Sequence, residues 1–202
     1  MTIVQVEFNA MITGLGMICA MVQGGTGYYA AYYKKKTMLL TTNNVLNRAH
    51  RAFGSFATTL YMLGLFAGTV GFVGAIRDNV PPLELDNLSF NIHTWGSFPV
   101  VLIFAWKNYL GYFKKQPLYG KRKWLGMALF LAWVFTWISA AMSYYLRTQP
   151  DNLQHPPPVF LLPYELLWLQ LALPFIIGGV LGILIVRKAG ATMVKTKEQA
   201  GA

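Results

Sequence analysis

Polar and charged positions divide this chain into five long apolar stretches, covering about residues 11–33, 53–76, 90–113, 124–146 and 159–186. As a helix, each is long enough to cross a hydrocarbon core of roughly 30 Å. The connections are short. Residues 34–47 join the first two stretches, residues 77–89 the second and third, and residues 147–158 the last two. Pro81 and Pro82 force an extended turn in one of them. Pro156, Pro157 and Pro158 make a stiff polyproline spacer in another. Short connections set sequential helices antiparallel. The pattern predicts an all-α membrane protein, an up-down bundle of five transmembrane helices. Residues 1–188 would form a single transmembrane helical domain, and residues 189–202 a small, polar, flexible cytoplasmic tail.

Charge orients the bundle. Lys34, Lys35, Lys36, Arg48 and Arg51 fall between the first two stretches. Lys107, Lys114, Lys115, Lys121, Arg122 and Lys123 fall at or beyond the end of the third, and Arg187, Lys188, Lys195 and Lys197 in the tail. With Glu198 this side sums to +14. The other side carries Arg77 and Arg147 against Glu7, Asp78, Glu84, Asp86, Asp151 and Glu165, a sum of −4. Lys- and Arg-rich loops stay cytoplasmic, so the expected topology is N-terminus out and C-terminus in. The same placement argues against nucleic acid as a partner, because the basic residues interrupt apolar runs and are not gathered on a folded polar surface. The bilayer is the expected partner, with anionic lipid at Lys34–Lys36. No basic n-region or small-residue cleavage site marks a cleaved leader, so the first stretch is expected to be an uncleaved anchor. Cys19, the one cysteine, lies inside a stretch and is expected as a small apolar filler. No acid interrupts a stretch except Glu165 near the outer end of the fifth, which weakens an ion-carrier reading.

Three histidines carry most of the chemical signal. His50 opens the second stretch from the cytoplasmic side. Gly54, Ala57, Tyr61, Gly64 and Gly68 follow it on one helical face, a stripe that either packs a neighbouring helix or admits a flat macrocycle. Substitution at Gly64 or Gly68 is expected to disturb the bundle more than at Gly74, near the outer end. His93 enters the third stretch from the outer side, and His155 also lies outside. A b-type haem is held by axial histidine, often two. His50 and His93 start antiparallel helices from opposite faces and cannot share one iron. His93 and His155 lie on one side and make the candidate pair.

Arg48-Ala49-His50-Arg51-Ala52-Phe53-Gly54, the glycine run from Gly64 to Gly71, and His93-Thr94-Trp95-Gly96 resemble the small four-helix relatives of cytochrome b561. They are most similar to the b561-like membrane family of oxygenic phototrophs and plastids. The resemblance covers about residues 45–146 and implies a haem b-binding bundle that passes electrons across or within the membrane. The chain departs from that pattern twice. Members pair the cytoplasmic histidine with one opening the fourth span, where this chain has Lys123-Trp124-Leu125-Gly126-Met127, leaving Met127 as the only conceivable substitute. They pair the outer histidine with one near the start of the first span, where it has Glu7-Phe8-Asn9.

Two functions compete. One is a b-type cytochrome-like protein of transmembrane electron transfer, with haem b on His93 and His155 and a redox partner. The other is a non-catalytic subunit of a larger photosynthetic or respiratory membrane complex, with a chlorophyll-type pigment on His50 and His93 singly, or no cofactor. The membrane is correspondingly a plasma membrane or a photosynthetic one. Candidate cofactor-binding residues are His50, Gly54, Gly64, Gly68, His93 and His155, the histidines being the candidate metal ligands.

Overall fold

The computed structural model describes residues 3–33, 38–39, 44–78, 88–113, 115–147, 162 and 164–200. It is all-α among these, with five long helices: α1 Ile3–Tyr32, α2 Val45–Arg77, α3 Leu88–Phe113, α4 Lys115–Arg147 and α5 Leu167–Ala200, the last entered through a 3₁₀ turn at Tyr164–Leu166. Asn44 starts α2 by accepting a hydrogen bond from the Leu46 amide at 2.8 Å, which satisfies one of the donors a helix start leaves open. Asp78 closes it, its amide donating to the Gly74 carbonyl at 3.0 Å. Pro99 in α3 and Pro174 in α5 each remove one donor from a helix interior, which bundled apolar helices tolerate when neighbours cover the gap. α5 continues to Ala200, beyond the expected end of the fifth stretch, because Ala, Met, Lys, Glu and Gln in the tail are strong helix formers.

Four segments are long and apolar enough to cross a membrane: Phe8–Tyr32, Val45–Gly74, Trp124–Ser143 and Leu167–Thr192. α3 is helical over 26 residues but is not among them; Asn91, His93, Thr94, Ser97 and Lys107 dilute its apolar run. Its outer face is nonetheless apolar, with Leu102 at 70% exposure, as is Phe66 on α2. Large hydrophobics turned outward along several helices suit a lipid surround.

Contacts fix the helix directions. Going up α1, Asn9, Gln23 and Gly27 meet Gly64, Gly54 and His50 of α2 in descending order, so the two run antiparallel. Gly14, Gly16 and Gly24 meet Trp137, Trp133 and Phe130, so α4 also opposes α1. Ile18 and Val22 meet Gly178 and Gly182 in ascending order, so α5 runs with α1. α3 opposes α4, with Gly96 against Phe135 and His93 against Ser139. The alternation is up-down throughout, and the ends of α1 and α5 that carry Tyr32, Arg187 and Lys188 share one end of the bundle with Arg48 and Arg51.

Neighbourhood differs from the simple expectation. α1 is the hub, packing on α2, α5 and α4, and α3 packs on α4. α2 and α3, although consecutive, keep their backbones apart and meet through side chains: Lys107 to Thr58, Tyr61 on Phe104, and Phe72 on Trp95. A connection of ten residues, 78–87, permits adjacency but does not enforce it; α4 wins α3 because Gly96 lets Phe135 seat directly on the α3 backbone. The core joins Met17, Ala20, Ala57, Tyr61, Val100, Phe104, Trp133 and Trp137. Tyr61 and Phe104 stack at 3.8 Å, with the Trp133 ring edge-on to both. The Trp137 indole donates to the Leu171 carbonyl at 3.1 Å and ties α4 to α5. Cys19 packs half-buried against this core.

Candidate functional site: two histidine clusters

His50 sits one turn and a half into α2 and turns its ring onto α1. Its Nδ1 lies 3.0 Å from Thr26 Oγ1. That hydroxyl already spends its single proton on α1, where it reaches the Val22 carbonyl at 2.8 Å and the Gln23 carbonyl at 3.0 Å. With that proton on an α1 carbonyl, the hydroxyl accepts from Nδ1–H and Nε2 carries the lone pair. A ligating histidine usually gives its other ring N–H to a carboxylate, a backbone carbonyl or water; here the Thr26 hydroxyl stands in that place. Gly27 makes the room: a Cβ there would stand 3.2 Å from the imidazole Cε1. One turn further along α2, the Gln23 amide covers Gly54.

His93 is held differently. Nε2 lies 3.3 Å from Asn9 Nδ2 on α1, and Nδ1 lies 3.0 Å from Ser139 Oγ on α4. The amide nitrogen can only donate, so Nε2 accepts, and Nδ1–H is left for Ser139. Three helices are thereby joined by one imidazole. The same Asn9 turns its Oδ1 toward Gly64, 3.1 Å from where a Cβ would be.

Asn9 and Thr26 are seventeen residues apart, so the two imidazoles stand roughly 25 Å apart along α1. His50 and His93 thus lie at opposite ends of the bundle. The stripe after His50 faces α1: Ala57 and Tyr61 are in the core, Gly54 and Gly64 lie under the Gln23 and Asn9 amides, and Gly68 has open space beside it, as does Gly74. Met127 is 56% exposed on α4. His155 lies outside the described residues, and so do Lys34–Lys36 and both proline clusters. Among the described residues, no three His, Cys, Asp or Glu side chains gather as a metal site.

No family model, curated protein or solved structure matches the chain. The b561-like resemblance therefore rests on the residues quoted for it alone. Asn9, Gln23, Thr26 and Ser139 were not singled out by sequence. A signal existed in α1, where Asn9 and Thr13, and then Gln23 and Thr26, are polar pairs at helical spacing inside an apolar run. Nothing comparable marks Ser139, one small polar residue among alanines.

Proposed function

We propose that this is a multi-pass membrane protein crossing the bilayer five times, N-terminus outside, that holds a haem-type tetrapyrrole on His50 and takes part in electron transfer. The five-crossing topology is supported by the up-down order together with the +14 and −4 charge split. For a bis-histidine haem the described residues do not fit, since their two histidines occupy opposite ends. For a singly ligated ring His50 is the better candidate, and the observation that supports it is the Thr26 contact at Nδ1, which, with the hydroxyl proton on an α1 carbonyl, leaves the Nε2 lone pair for a metal. His93 fits less well, because its Nε2 already faces Asn9. When bound, haem would supply a one-electron couple. The chain's own part is to orient the imidazole through Thr26 and to make room for it at Gly27.

The second reading is a pigment-carrying subunit. It draws on the same observation, because a magnesium chlorin is satisfied by one axial nitrogen. Absorption spectra of the purified protein, oxidised and reduced, separate the two. Reduced haem b bands that shift on adding carbon monoxide are expected for a ring with an open sixth position. A far-red band indifferent to reductant supports the chlorin. Loss of the bound ring in His50→Ala and its retention in folded His93→Ala is the expected pattern; the reverse, or no ring in wild type, would overturn the proposal.

A further inference from the structure

The contact between His50 and Thr26 is closed differently in its two directions along the bundle. Toward the interior the closure is polar, the Gln23 amide lying over Gly54 one turn beyond His50. Toward the basic end, where Arg48, Arg51, Arg187 and Lys188 stand exposed, it is apolar. Ala30 follows Thr26 by four residues on α1, and Leu46 precedes His50 by four on α2. Each therefore stands one turn nearer that end, on the face that carries the polar pair. Both are buried in one cluster with Ala189 of α5 and with Met38, which is 3% exposed. Leu39 packs against the same cluster, and its carbonyl accepts from Asn47 Nδ2.

Three members of this plug are fixed to helices. Ala30, Leu46 and Ala189 cannot leave unless α1, α2 or α5 moves, and the close approaches at Gly54, Gly178 and Gly182 hold those helices together. Met38 belongs to the α1–α2 connection and can leave without moving a helix. Its side chain is unbranched and adaptable, and contacts at the edge of a fold open at lower cost than its core. What holds it, among the described residues, is its own burial and the neighbouring Asn47–Leu39 bond. Thr26 is fully buried one turn below.

We propose that Met38 is a gate at the basic end: seated, it keeps water and small solutes from the His50–Thr26 pair; lifted, it admits them between the ends of α1, α2 and α5. Its use in controlling what reaches a ligand on His50 rests on the reading above; the gate itself does not.

The test is solvent access in nanodiscs, where both faces of the full chain meet water. Cys19→Ala removes the native thiol, and Thr26→Cys places one beneath Met38. The probe is a quaternary-ammonium methanethiosulfonate, whose charge keeps it out of lipid, so labelling reports a path through water. With Met38 seated, labelling is far slower than at Lys188→Cys, an exposed site at the same end. Adding Met38→Ala raises the rate about tenfold or more, because losing a buried side chain favours the open state by at least that factor. Met38→Leu, close in volume, stays near the parent. Asn47→Ala frees Leu39, leaves Met38 intact and raises the rate by a smaller factor. Equal rates with Met38 and Met38→Ala overturn the proposal, as does a parent that already labels as fast as Lys188→Cys. Should Met38→Ala not fold, an Asn47→Ala rate no higher than the parent's overturns it instead. Ring content is read separately, from the absorption spectrum of the wild type. No ring together with a Met38-dependent rate sinks the His50 ligand reading alone, and a ring with no Met38 dependence sinks the gate alone.

Discussion

The two ends of the bundle each present one imidazole to α1, yet they use it in opposite ways. At the His93 end both ring nitrogens are consumed, by Asn9 and by Ser139, and the residue joins α1, α3 and α4. At the His50 end one nitrogen is held by Thr26, which itself answers to α1 carbonyls. A histidine with both nitrogens spent is a clasp. One held through Nδ1 keeps an Nε2 that this contact does not use, as the proposed ligand role requires. Spacing along the sequence treats the two alike; the difference lies in what the facing helix offers.

The largest test of this contrast is His93→Ala. It strands a buried serine and an amide at the junction of three helices, and each orphaned polar group costs roughly 1–3 kcal/mol. Unfolding in detergent should show the largest loss of stability of any variant named here. A loss no greater than that of His50→Ala would mean that His93 is not a clasp. Next comes Gly64→Leu, which drives a side chain into the Asn9 amide and is expected to cost about 1–3 kcal/mol. It should weaken the His93 end specifically, by displacing Asn9 from Nε2. Thr26→Val is expected to cost about 1 kcal/mol, one hydrogen bond, while lowering the content of any ring bound at His50; unchanged ring content would detach Thr26 from ligand orientation. Smallest are Gly68→Leu and Gly74→Leu. Both have open space where the new side chain begins, so each should stay within about 0.5 kcal/mol of wild type, as surface substitutions do. A Gly68→Leu variant as damaged as Gly64→Leu would show that the stripe is occupied along its full length.

That last pair revises an expectation. By helical spacing Gly68 belongs with Gly64, but among the described residues only Gly54 and Gly64 come under amides of α1. The helices themselves were legible, because a 20-residue apolar run has one stable form in lipid and α3 announced itself despite Asn91 and Lys107. Their up-down alternation was legible from the short connections. Partners were not. Small residues on α1 say that something approaches closely, but whether Trp133 or a glycine of α2 does so depends on the other helix. Lys107 counted as an end charge in sequence because it stands six residues from Phe113. Only the level set by Tyr61 and Phe104 shows its amine facing Thr58. The roles of the His50 and His93 nitrogens depend on Thr26 and Asn9, whose polar spacing in α1 marks them as special but does not say which histidine each will meet.

The position of α1 also has a consequence for how the chain is assembled. Chains are inserted in order of synthesis, and the hub is made before every helix that docks on it. α2 finds its main partner as soon as it emerges. α3 does not, since its backbone neighbour is α4, and it must wait with a lysine, an asparagine and a histidine unshielded. For the proposed five-crossing topology, insertion should therefore proceed by hairpins, α1 with α2 and then α3 with α4, with α5 closing last against the first helix. The interval in which α3 waits is the point at which this protein is most exposed to misinsertion, and a ribosome stalled there should yield the species that membrane quality control recognises first.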